Sequence, residues 1–488
     1  MSLTTALGIA QRSILSTSRQ TSIVSQNISN VQNPDYSRRS AVLVSTAPGA
    51  RTVEIQRATN VALFKNNLAA LSSHAGQSTL LSGIENLTLH VNGVENGRSA
   101  STLIGKLQQA LQSFGTTPSN ENLGENVVEQ ARQLAKALNE GSAAIQQTRA
   151  QLDKDIKTSV ASLNDLLGRF EQANKAVMHA TQAGNDASDA LDQRDALLKQ
   201  ISEIVPISTI TRGNNDMVVT TASGVTLFEA VPRKVTFEPI PSYSATTSGN
   251  AIYVDGVPLV AGSGANTDAA GSLAAMLQMR DSVAPSMQAQ LDEIARGLIS
   301  SFAETDPTGA GSVPPLTGLF TWPGGPALPA DGTVSPGLAG AIQVNPLIDS
   351  TAGGDVTLLR DGGINGSGYV YNTSGGASFA DLIYKYSEAL DAPMTFDAAA
   401  GIGTEASVTD YAGSSISWLE LARQQASEAA ESKSSLLVRT SQALSNETGV
   451  NMDEEMARLL ELEHAYQASA RLIQAVDEML STLLEAVR

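Results

Sequence analysis

Two heptad stripes, one at each end, constrain this 488-residue chain more than any other feature. Near the start, apolar or threonine side chains recur at Leu3, Leu7, Ala10, Ile14, Thr17, Thr21, Val24, Ile28 and Val31, alternating steps of four and three. Near the end, Leu459, Leu462, Tyr466, Ser469, Ile473, Val476, Leu480, Leu483 and Val487 alternate three and four. Such spacing puts one stripe on one side of a helix and demands a partner helix to cover it. Asn33-Pro34-Asp35 stops the first helix, because proline cannot continue it and disfavours the α conformation before it.

On a single helix this stripe reads first as packing inside a bundle. Charge changes that reading. Residues 1–60 hold six Arg, no Lys and two acids, which makes 6 − 2 = +4; residues 447–488 hold nine acids and three Arg, which makes 3 − 9 = −6. Seams of opposite charge at both ends point to helices that attract each other and neighbouring copies. The candidate self-assembly residues are Leu3, Leu7, Ile14, Val24, Ile28 and Val31 with Leu459, Leu462, Tyr466, Ile473, Val476, Leu480 and Leu483. Alone, neither stripe offsets the backbone entropy of ordering its helix. The ends are therefore expected to be unordered in a lone monomer and to order when other copies supply the covering surface.

Between the ends the pattern predicts a mainly α fold with β insertions: a long antiparallel helical bundle from the terminal segments, carrying small β domains in the middle. Residues 1–60 read as the terminal helix plus a β-hairpin turning at Pro48-Gly49, and 61–205 as a helical rod broken near 92–97 and 115–124. Within the rod Leu152, Ile156, Val160, Leu163, Leu167, Phe170, Ala173 and Val177 keep a three-or-four spacing. Val/Thr/Ile runs between Gly, Pro and Asn clusters make 206–265 a small antiparallel β domain. Helical spacing returns over 266–305, with Pro285 as an entry or kink. Residues 306–410 read as a Gly/Pro-rich β insertion, and 411–488 as the C-terminal helices, interrupted at Thr448-Gly-Val-Asn451.

Composition excludes several roles. The net charge is 31 − 49 = −18, which argues against a nucleic-acid or anionic-membrane binder. Aromatics are 4%, too few for the ring-lined pocket of a typical small-molecule enzyme. With no cysteine, disulfides, thiolate nucleophiles and Cys-ligated metals are unavailable. The first residues have no basic and apolar regions of a secretory signal, and no stretch is apolar enough to span a membrane.

No catalytic, cofactor-binding or metal-ligating set is read from the chain, and no cofactor is expected. Asp186, Asp189, Asp192 and Asp195 recur every three residues; a metal site or glycosidase-like carboxyl pair is conceivable, but a solvated helix face beside Arg194 and Lys199 is the expectation. His74, His90, His179 and His464 have no zinc spacing. Gly401-Ile-Gly-Thr-Glu-Ala406 fits a dinucleotide fingerprint formally, without a convincing strand before it. Phe320-Thr-Trp322 reads as a small buried cluster. A secreted carbohydrate-active enzyme stands as the alternative from another class.

Two longer motifs carry a resemblance. Gln26-Asn-Ile-Ser-Asn-Val-Gln-Asn-Pro-Asp-Tyr-Ser-Arg38 closes the first heptad helix; Gly449-Val-Asn-Met-Asp-Glu-Glu455 precedes Ala465-Tyr-Gln-Ala-Ser-Ala-Arg471 in the last. Together they resemble the terminal motifs of the bacterial flagellar rod, hook and hook-associated protein family. The helix around Leu191-Asp-Gln-Arg-Asp-Ala-Leu-Leu198 leading into a β domain resembles the hook-associated members. Asp35 departs from the glycine often found there, so the turn must avoid positive φ or tolerate Asp.

The resemblance implies a non-enzymatic structural adaptor of the flagellum, exported unfolded by the flagellar type III route without a cleavable signal. It implies a junction layer between hook and filament, with partners in further copies of the chain, the hook protein and a neighbouring hook-associated junction protein. An export chaperone on the C-terminal helices is also implied. Another axial role, as hook or second junction protein, stays open.

Overall fold

The computed structural model describes residues 3–45, 50–259 and 269–486. The expected Pro48-Gly49 turn and Val487 of the second stripe lie outside them. Helix α1 (Leu3–Ser29) ends just before the Asn33-Pro34 stop, and β1 (Arg39–Ser45) pairs antiparallel with β2 (Ala50–Arg57), Arg39 opposite Arg57. Asp35 has no positive φ, so the turn after α1 needs no glycine there. Helix α2 (Val61–Asn92) starts on an Asn60 cap whose side chain accepts from the Leu63 N–H. Then come α3 (Ala100–Thr116), α4 (Glu121–Ala183) and α5 (Ser188–Ile204), the last stopping before Pro206. The breaks near 92–97 and 115–124 fall where expected. The one between α4 and α5 is not among the sequence expectations: Gly184, at φ 67°, caps α4 in the left-handed conformation open to glycine.

Three short strands, β3 (Ile207–Thr211), β4 (Met217–Thr221) and β5 (Thr226–Phe228), form one antiparallel sheet; β6 (Val235–Thr236), β7 (Tyr253–Val254) and β8 (Val257–Pro258) form a second. Helix α6 (Ser272–Gln278) runs through a π turn (Met279–Val283) into α7 (Ala284–Ser301). The widened turn lies where the missing N–H and ring of Pro285 disrupt a regular helix. In the Gly/Pro-rich insertion, β9 (Phe320–Thr321) and β10 (Gln343–Val344) are two-residue strands, and most of the segment is held by turns with α8 (Leu358–Asp361) and α9 (Asp381–Asp391). After β11 (Met394–Thr395) and β12 (Glu405–Ala406), two helices finish the chain, α10 (Val408–Thr448) and α11 (Met452–Ala486).

The body is built on α4, whose 63 residues span about 95 Å at 1.5 Å per residue. All eight apolar positions of its predicted stripe are buried. Helix α2 packs along α10, and α7 packs against both α4 and α10. Phe170 of α4 meets Phe228 of β5 edge to face at 5.0 Å, fixing the first sheet to the rod. Phe320 is buried against Phe302, their centroids 5.3 Å apart, whereas Trp322 is only partly covered. Arg280 and Asp153, both fully buried, pair at 2.7 Å and join the π turn to α4. No described helix is long and apolar enough to cross a membrane.

Phe170→Ala should cost about 3–5 kcal/mol, since it leaves a cavity and an unpaired Phe228 in a packed core; chemical denaturation of the purified chain measures it. Asp292, buried on α7, accepts the Gly337 and Ala339 N–H groups at 2.8 Å each, yet burial pushes its carboxyl up to about 6. Folded chains then hold a proton that unfolded ones, near 3.8, have released, so stability falls as pH rises from about 4 to 6 and levels off above. An NMR titration of the Asp292 carboxyl with a midpoint below 5 would contradict this.

Candidate assembly interface

Helices α1 and α11 lie against each other in a single chain. Ser13 Oγ meets Ser469 Oγ at 2.8 Å, and Asn27 Nδ2 donates to Glu455 Oε2 at 3.0 Å. Both pairs sum to 482 (13 + 469, 27 + 455), so the helices run antiparallel in a register two heptads long between these bonds. The antiparallel packing of the terminal segments expected from the sequence is present: each helix supplies the other's first covering surface.

The buried line takes in alternate members of both predicted stripes. On α11, Glu455, Leu462, Ser469 and Val476 are buried at intervals of seven; on α1, Ala10, Ser16, Thr17, Ile23, Val24 and Asn27 are buried. Ser13 and Ser469, both small, meet on this line, while Leu7, Ile14 and Ile473 are only half-covered and Tyr466 is exposed. Of the candidate assembly residues, Val24, Leu462 and Val476 are buried. Leu3, Leu7, Ile14, Ile28, Val31, Leu459, Ile473 and Leu480 are half-covered, while Tyr466 and Leu483 are exposed.

In an antiparallel pair, residues at equal offsets from the contact line share a side. Offsets of one and four place Leu7, Ile14 and Ile28 on the same flank as Leu459, Tyr466, Ile473 and Leu480. Both predicted stripes therefore converge on one face. The opposite flank carries Leu15, Leu472 and Met479, all exposed.

The pair is rooted in the body by a buried polar knot. Asn27, fully buried, donates to the Arg39 carbonyl and to Glu455. Its Oδ1 accepts from the Tyr36 hydroxyl at 2.8 Å and the Arg39 N–H at 3.1 Å, so every hydrogen-bonding site of the amide is used. Burial pushes the Tyr36 phenol up, keeping it a donor. Glu455, also buried, accepts Arg38 Nε at 2.7 Å, and the Arg38 N–H reaches the last carbonyl of α10, Thr448, at 2.7 Å. The two terminal motifs thus meet through Asn27, Tyr36, Arg38 and Glu455. Of the charge attraction read from sequence, it is Arg38 with Glu454 and Glu455 that joins the two motifs.

The acidic repeat on α5 is not the solvated face expected. Arg39 donates to Asp189 at 2.6 Å and Asp192 at 2.9 Å; Arg57 donates to Asp192 and Asp195 at 2.7 Å each. The hairpin lays both arginines on the repeat, and Lys199 pairs with Asp35 at 2.8 Å. Burial raises the Asp195 carboxyl, opposed by the neighbouring Arg57. The carboxylates are clamps, and no metal-binding cluster is found among the described residues. Gly401 follows a 3-10 turn (Ala398–Ala400), not a strand. Composition and periodicity did not single out Asn27, Arg39, Arg57 or Glu455. For Asn27 and Glu455 the signal was there, polar groups inside the quoted motifs beside apolar stripes; Arg39 and Arg57 lie outside those motifs.

Comparison with known proteins gives the family. Residues 88–313 match the flagellar hook-associated protein FlgK helical domain, and residues 441–486 match the flagellar basal body rod FlgEFG protein C-terminal domain. The flagellar hook-associated protein 1 of Bacillus subtilis (strain 168) is 21% identical over 527 residues, covering 99% of this chain and 98% of that protein. The chain belongs to the flagellar hook-associated protein 1 family, the hook–filament junction proteins. The Salmonella typhimurium hook-associated protein 1 is 24% identical over 250 residues, 48% of this chain and 44% of that one. The solved flagellar hook junction protein FlgK from Burkholderia pseudomallei has 18% identity and a TM-score of 0.43 over 53% of this chain and 46% of its own. As a family member the chain is an extracellular structural part of the bacterial flagellum, not an enzyme, and assembles with the hook and other axial proteins.

Asn27→Ala orphans buried partners on three elements and should cost about 3 kcal/mol. Hydrogen exchange should then speed up along α1 and α11 while α4 and α7 stay protected; uniform protection would mean the knot is not what holds the pair.

Proposed function

We propose that the chain forms its layer of the flagellum through the α1–α11 pair, which docks on the pairs of neighbouring copies, on the hook protein and on the next hook-associated junction protein. The supporting observation is the apolar surface left on both flanks of the pair. One flank carries Ile14, Tyr466 and Ile473, the other Leu15, Leu472 and Met479. A single partner helix covers only one stripe of each, and a soluble helix pair with large apolar side chains on two sides has surface for two neighbours. Because the flanks differ, contact between copies is heterologous, which propagates a ring or helix instead of closing a two-fold dimer.

The same exposure supports a chaperone on the C-terminal helices before assembly. Met452, Met456 and Leu460 of α11 face solvent in the lone chain and need cover until neighbours arrive.

Replacing both Ile14 and Ile473 by Asp puts carboxylates on the shared flank, where docking would bury them unpaired. Incorporation into flagella should be lost, with motility abolished and filaments shed, while circular dichroism shows the body folded. Double variants that still build filaments overturn the reading.

A further inference from the structure

Ten methionines stand in the sequence, nine of them in the described residues, and burial divides them sharply. Met217, Met276, Met279 and Met287 are buried in the body, at most 7% exposed. Met178 and Met394 are half-buried. Met452, Met456 and Met479 are 39%, 45% and 49% exposed, and all three belong to α11. Among the described residues, the exposed thioethers are therefore gathered on one helix of the terminal pair.

Their positions on that helix matter as much as their exposure. Met452 stands seven residues before Leu459 and begins the line Met452, Leu459, Tyr466, Ile473 and Leu480 on the shared flank. Met456, one residue past the buried Glu455, lies on the same side. Met479, seven residues past Leu472, lies on the opposite flank. Each flank thus holds a side chain whose polarity can change with no change of sequence. A thioether is apolar and flexible, whereas its sulfoxide carries an oxygen that apolar neighbours leave without a hydrogen-bond donor.

We propose that Met452, Met456 and Met479 are the sites at which a peroxide modifies the lone chain, and that their sulfoxides keep an oxidised copy from docking. With hydrogen peroxide, the sulfur lone pair attacks one oxygen and the O–O bond breaks. The sulfur keeps that oxygen and is oxidised by two electrons, and the peroxide is reduced to water. Hydrogen peroxide is uncharged, so the acids of α11 do not hold it off. The buried methionines react only when the body opens.

The inference rests on the terminal-pair reading, and the two fail separately. The purified full chain is treated with hydrogen peroxide and its peptides are mapped by mass spectrometry. Met452, Met456 and Met479 should oxidise about tenfold faster than the four buried methionines; equal rates overturn the assignment. The consequence is read from incorporation into flagella of M452Q/M456Q/M479Q, whose amides stand in for sulfoxides, and of M452L/M456L/M479L, which stays apolar. The glutamine variant should incorporate about tenfold less, equivalent to about 1.4 kcal/mol of docking, and the leucine variant as well as the unaltered chain, both with an unchanged circular dichroism spectrum. Normal incorporation of the glutamine variant where the double Ile14→Asp, Ile473→Asp variant is lost overturns this inference and leaves the terminal pair; normal incorporation of both overturns both. Loss in the leucine variant also counts against it, because polarity would then not be the cause.

Discussion

A single buried amide holds the two ends of this chain together. Asn27 spends all of its hydrogen-bonding capacity on Tyr36, Arg39 and Glu455, three groups that would otherwise be costly to bury. An apolar seam alone tolerates sliding by a heptad, because every seventh position looks alike. A polar residue with one satisfying partner set does not, and a buried Asn at a helix contact is a known means of fixing register. The rest follows from that fixed point: the register of α1 on α11 and the side on which the large aliphatics emerge.

Arg39 and Arg57 extend the same logic into the body. They stand opposite each other on paired strands and grip three aspartates of one helix. Asp192 lies between them, so the α5 repeat works as a rack on which the hairpin is set at one angle. The terminal helices are thus joined to the rod by directional bonds and not by a greasy hinge.

Much of this was legible in the residues. Heptad spacing, the Pro34 and Pro206 stops and the Gly-rich breaks located the helices, and eight evenly spaced apolar residues marked the buried side of α4. Periodicity could not tell which neighbouring line of α1 faces α11. Ala10 and Thr17 stand in the predicted stripe, but Ser13, which meets Ser469 of α11, lies outside it and is polar. Nor could spacing show that the α5 aspartates meet arginines some 150 positions earlier, since nothing local marks a long-range ion pair. In the insertion, short strands and turns leave no period to read.

The knot also sets an order of events. Asn27 and Glu455 are separated by 428 positions, so their bond closes a loop of nearly the whole polypeptide. A chain emerging one end first keeps its extremities apart until the last helix is free. The pair is then completed only when both ends of the polypeptide have met.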